Sequence, residues 1–112
     1  MRDYRLYIDD MLNAIKRVEK YTKGMSFIKL KRNSLVVDGV VRNLEIIGEA
    51  AKNMPAGVKS KSPQIEWKKM AALRNILVHE YFGIDLEILW DIIKNKLPDL
   101  KKKISRLPEI HK

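Results

Sequence analysis

From Asp3 to Tyr21 the apolar residues Leu6, Ile8, Met11, Leu12, Ile15 and Val18 recur at steps of three and four, which is the spacing of one helix face. Lys23-Gly24 ends that helix, because glycine accepts the left-handed turn found at many helix ends. Ser26 can cap a short helix from Phe27 to Lys31, and a longer helix follows from about Asn33 to Asn53. Pro55 and Gly57 open a basic, polar loop that reaches Ser62. Ser62-Pro63 reads as a cap with proline in the first helical position. The next helix is therefore expected from Pro63 to His79 or Glu80, with Gly83 as its stop. Asp85 caps a further helix from Leu86 to Lys96. Pro98 either starts a fifth helix or kinks a continuing one, and Leu100, Ile104 and Leu107 supply its apolar face. No segment alternates in the manner of a strand. The pattern predicts an all-α fold, an antiparallel up-and-down bundle of four to five helices with short connections.

Length adds that this is one domain spanning residues 1–112, and 46% hydrophobic residues are enough for one core. There is no apolar run of the ~18 residues a membrane span needs, and Met1-Arg2-Asp3-Tyr4-Arg5 has no apolar stretch behind it to make a signal peptide. With no cysteine there is neither a disulfide framework nor a thiolate zinc site. A cytoplasmic protein is expected. Charge changes the picture more: 23 Lys and Arg against 14 Asp and Glu leave a net charge of +9. Such a field concentrates polyanions, and a nucleic-acid partner competes with solubility alone as its explanation.

On the helix expected from Pro63, Trp67, Met70, Leu73, Leu77 and Val78 form one broad apolar stripe, and Arg74 lies in the middle of it. An arginine there must be paired or must face a shared cleft, because an unpaired buried charge is very costly. One reading is a structural ion pair with Glu45 or Glu49. The other is a two-pronged phosphate binder. His79 falls about 140° from Arg74 at ~100° per residue, beside Asn75 one turn earlier, and lies off the apolar stripe. It is either a structural or solvated histidine, or a general acid or base that titrates near neutrality. Asp38, Arg42, Glu45 and Glu49 run along one flank of the Asn33–Asn53 helix, as a solvated or dimer-facing stripe or as part of a site. His79-Glu80-Tyr81-Phe82-Gly83 begins like a zinc-protease helix but lacks the second histidine, so no metal site is expected. Neither a Gly-rich phosphate loop nor a Gly-x-Ser-x-Gly elbow occurs, no cofactor is expected, and His111 near the chain end carries no role.

Taken together, these residues resemble a known family. Arg74-Asn75-Ile76-Leu77-Val78-His79-Glu80-Tyr81 fits the Arg-x4-His-x-Tyr signature of HepT-like toxins, a branch of the HEPN superfamily. Arg42-Asn43-Leu44-Glu45-Ile46-Ile47-Gly48-Glu49-Ala50 is similar to that branch's second common block, and the resemblance covers nearly the whole chain. It implies a homodimer whose motifs meet across the interface, and metal-independent RNA cleavage by Arg74 and His79. Asn75, Arg42, Glu45 and Glu49 are the supporting residues. It also implies a partner, an MntA-type minimal nucleotidyltransferase that acts as antitoxin by transferring AMP to the motif tyrosine, here Tyr81. The expectation is an endoribonuclease toxin of a type VII-like toxin–antitoxin pair. Two other classes stand beside it: a non-catalytic helical module that binds a nucleotide or docks a nucleotidyltransferase, and a basic DNA-binding protein, for which no recognition helix is evident.

Overall fold

A computed structural model describes residues 3–78 and 85–107, with the side chains of residues 74–78 outside the description. Among the described residues every regular element is helical. Helix α1 (Tyr4–Thr22) buries Ile8, Met11, Ala14, Ile15, Val18 and Thr22 on one face. Asp3 caps it, its Oδ1 accepting from the Arg5 backbone N–H at 2.9 Å. The Arg5 guanidinium also grips that carboxylate, at 2.7 Å, and holds its pKa below the ordinary value. Thr22 hides its hydroxyl by donating to the Val18 carbonyl, and Gly24 then turns the chain at φ +74°. Ser26 caps α2 (Phe27–Lys31), and Asn33 caps α3 (Ser34–Asn53) by accepting from the Val36 N–H. These three helices fall within one residue of their expected limits.

Helix α3 is the central post. Its buried residues Val40, Asn43, Leu44, Ile47, Gly48, Ala50 and Ala51 cover more than one narrow stripe, because α1 packs on one side of it and α5 (Trp67–Val78) on another. Three facing sets fix the register between α1 and α3. The Tyr21 ring lies against Gly39, where an added Cβ would come within 3.2 Å of two ring carbons. Arg17 Nε donates to Asn43 Oδ1 at 2.7 Å, while Asn43 Nδ2 donates to the Gly39 carbonyl at 2.8 Å. Tyr7 and Asp10 share a cavity with Glu49 and Asn53. Late residues of α1 thus face early residues of α3, and the two helices are antiparallel.

The rest of the chain departs from expectation in three places. The basic loop after Pro55 contains a short helix, α4 (Ala56–Ser60), because the Pro55 carbonyl accepts from both Val58 and Lys59 N–H groups and Val58 has a core side to bury. Helix α5 starts at Trp67 and not at Pro63. The Ser62 carbonyl accepts instead from the Ile65 N–H and from the Trp67 indole at 3.1 Å, which makes residues 62–65 a turn. Asp85 does cap α6 (Leu86–Asp91), taking the Glu87 and Ile88 N–H groups. Beyond it the chain stays helical through a π segment (Ile92–Lys96) into α7 (Leu97–Ser105). Pro98 has no N–H for the Lys94 carbonyl, and the backbone absorbs the mismatch with a wider turn in which the Leu97 N–H reaches the Ile92 carbonyl. Of the two readings of Pro98, the continuing helix is the one observed.

Candidate active site

The flank of α3 singled out by sequence opens onto a cavity of about 470 Å³ between α1 and α3. Arg42, Glu45, Ile46, Glu49, Ala50 and Asn53 line it from α3, and Tyr7 and Asp10 line it from α1. Asp38, one turn before Arg42, is exposed and stands outside this lining. Glu45 is drawn toward Arg42 at 3.8 Å across one helical turn, with the guanidinium largely in solvent and the carboxylate two-thirds buried. That geometry leaves most of the Arg42 donor fork facing water, so the pair is weak in itself. Glu49, one further turn along, is half-buried on the same wall.

Tyr7 and Asp10 were not expected from the sequence. They stand three residues apart at the edge of α1's buried face, a spacing that puts a phenol and a carboxylate on the same side of a helix. Only the antiparallel register brings them opposite Glu49 and Asn53. The cavity thus carries three carboxylates, Asp10, Glu45 and Glu49, against the one described cation, Arg42. A lining of that sign attracts cations and repels phosphate. Among the described residues no group of three acidic or histidine side chains is arranged to hold a metal ion.

Arg74 and Asn75 belong to the C-terminal part of α5, the helix that packs against α3. Their side chains lie outside the description, and His79 and Tyr81, expected at the end of that helix, lie outside the described residues. Trp67 and Met70 are buried and Leu73 is packed on the core, as the stripe through this helix predicts.

The family model for ribonuclease HepT-like proteins matches residues 11–107. The chain belongs to that family. The match contains both motif blocks, Arg42–Ala50 and Arg74–Tyr81. This HepT-like chain is 42% identical over 106 residues to a Methanocaldococcus jannaschii protein assigned as an RNase, covering 95% of this chain and 88% of the relative. It is 39% identical over 106 residues to a Thermococcus cleftensis protein assigned as ribonuclease HepT, covering 95% and 96%. A Caldanaerobacter subterraneus protein assigned as an RNase is 35% identical over 107 residues, with 96% of each chain covered. No solved structure matches the chain. No helix among the described residues is long and apolar enough to cross a membrane.

Proposed function

We propose that this HepT-like chain is a cytoplasmic, metal-independent endoribonuclease toxin of a type VII-like toxin–antitoxin pair, cutting RNA with Arg74 and His79. The observation that carries this reading is the family match across both motif blocks, with Arg74 on α5, the helix that packs against α3. The donor set bears on one class of metal only: two histidines and no cysteine in the whole chain leave little with which to build a zinc centre. Cleavage then proceeds by internal attack. A base takes the proton of the 2′-hydroxyl, the 2′-oxygen bonds to phosphorus, and the bond to the 5′-oxygen breaks as an acid protonates that oxygen. The products are a 2′,3′-cyclic phosphate and a 5′-hydroxyl. His79 serves as base or acid, and the Arg74 guanidinium holds the non-bridging oxygens as charge gathers on them. Glu45 and Glu49 orient guanidinium groups, with Arg42 and Asn75 in support.

Substituting Arg74 by lysine keeps the charge but removes the planar two-pronged donor set. The expected result is a loss of about 10²–10³ in kcat on single-stranded RNA, the range seen when one transition-state donor is removed. A lysine variant that cleaves at the parent rate reduces Arg74 to a point charge and sinks this assignment.

One copy supplies one motif histidine, whereas the chemistry needs both a base and an acid. A twofold dimer that brings two Arg-His sets together meets that need. Light scattering is expected to give about twice the 13.1 kDa chain mass. A monomer that cleaves fully at micromolar concentration shows that one set suffices. The cognate partner in this reading is a minimal nucleotidyltransferase that places AMP on Tyr81.

A further inference from the structure

Residues 20–37 contain five cations, Lys20, Lys23, Lys29, Lys31 and Arg32, and no carboxylate. Helix α2 lies within this segment and packs against α6. At the junction the half-buried rings of Phe27 and Trp90 meet with centroids 6.1 Å apart and planes tilted by 43°. Each ring carries an ammonium from one turn further along its own helix. Lys31 Nζ stands 5.4 Å from the Phe27 centroid, and Lys94 Nζ 4.7 Å from the Trp90 centroid. Both lysines are exposed, and among the described residues neither has a carboxylate within ion-pair distance. The acidic groups of α6 are Glu87 in its first turn and Asp91, whose Oδ1 is taken by Asn95 Nδ2 at 2.7 Å.

We infer that this α2–α6 surface is a second RNA-binding site, separate from the cleavage motif, which holds unpaired nucleotides by stacking on Phe27 and Trp90 and by phosphate contacts from Lys31, Lys94 and their neighbours. Aromatic rings at a basic surface suit single strands, because every unpaired base has a π face and duplex bases are already stacked. The cations sit against ring faces that leave their charge unneutralised, so a phosphate entering here displaces water and counterions only. An acidic protein surface would use the charges but gives the paired rings no specific task, and RNA uses both. Location fits as well, since α6 begins directly after residues 79–84 and so follows the motif in the chain. From the end of α5 to Trp90 the backbone cannot reach beyond about 30 Å, a distance that a short single strand bridges. The site anchors the substrate strand on one side of the cut.

This inference rests on the ribonuclease reading, and the test separates the two. Full-length protein and the double variant Lys31→Gln/Lys94→Gln, which keeps the side-chain stems, are compared by fluorescence anisotropy with a labelled single-stranded RNA 20-mer over a salt series, and by cleavage of a trinucleotide. The expected result is about tenfold weaker 20-mer binding and a salt slope shallower by about 1.4, at ~0.7 per lost phosphate contact, with trinucleotide cleavage unchanged. RNA is also expected to quench Trp90 emission, a signal lost in Trp90→Phe because Trp67 is buried. Parent-like binding and slope in a double variant that cleaves RNA overturn the second site alone, as does a variant that loses only an acidic protein partner. A parent that neither binds nor cleaves RNA overturns the ribonuclease reading, and this site with it.

Discussion

His79→Ala is expected to lower RNA cleavage by about 10²–10⁴ and to abolish growth inhibition, while leaving the helical content and melting temperature close to the parent's. The rate estimate is what loss of a positioned proton-transfer group costs. The stability estimate follows from the helix wheel, on which His79 falls away from the stripe of Trp67, Met70 and Leu73 that packs into the core. Truncating a residue off that stripe opens no large cavity, and surface changes of this kind stay within about 0.5 kcal/mol. Cleavage assays and thermal melts on the same preparation distinguish the possibilities. A folded variant with undiminished cleavage removes His79 from the chemistry. A variant that unfolds returns His79 to a structural role, and one that binds RNA without cutting is the expected product.

The second large effect concerns control of the enzyme. Tyr81 follows His79 by two residues and precedes Gly83, where the sequence predicts a helix stop, and on an ideal wheel it falls two turns from Arg74 on nearly the same line. In the proposed mechanism, AMP on the phenol brings a phosphodiester charge to the arginine assigned to the substrate phosphate, so that the two anions compete for one site. The cognate nucleotidyltransferase with ATP and magnesium is therefore expected to add AMP to Tyr81 and silence cleavage. Tyr81→Phe keeps the ring but removes the acceptor oxygen. It should remain toxic and escape neutralisation, with intact-mass spectra showing AMP-sized additions on the parent and none on the variant. Full neutralisation of the phenylalanine variant, or additions at another residue, removes Tyr81 from regulation.

Helices α1, α2 and α3 were legible in sequence because each is bounded by a polar cap and carries one periodic apolar face. Ser26 and Gly24 act where the pattern puts them, while Asp3 and Asn33, read as the first residues of their helices, turn out to be the caps. The segments that misled are those where a tertiary partner claims a local signal. Ser62 looks like a cap for Pro63, but the Trp67 indole takes its carbonyl and holds it in a turn. Pro98 leaves two readings open, a new helix or a continuing one, and the π segment that lets the helix run past it decides between them. The candidate site divides in the same way. Spacing puts Arg42, Glu45 and Glu49 on one flank of a helix, but it leaves open whether that flank is a solvated or dimer-facing stripe or part of a site. Tyr7 and Asp10 reach that flank only through the α1–α3 register, which the Tyr21–Gly39 approach and the Arg17–Asn43 hydrogen bond set. No local pattern encodes that register. The Phe27–Trp90 junction is equally non-local, since the two rings are far apart in the chain and meet only when α2 docks on α6.

The central claim is cleavage by internal attack of the 2′-oxygen without a metal, and the chemical ends of the RNA fragments test it most directly. Purified protein is incubated with a defined single-stranded RNA in excess EDTA, and the fragment ends are read by mass spectrometry. The mechanism predicts continued cleavage, with 2′,3′-cyclic phosphate on one fragment and a 5′-hydroxyl on the other. Fragments with 3′-hydroxyl and 5′-phosphate ends, or cleavage that stops in EDTA and returns with added divalent cation, contradict it.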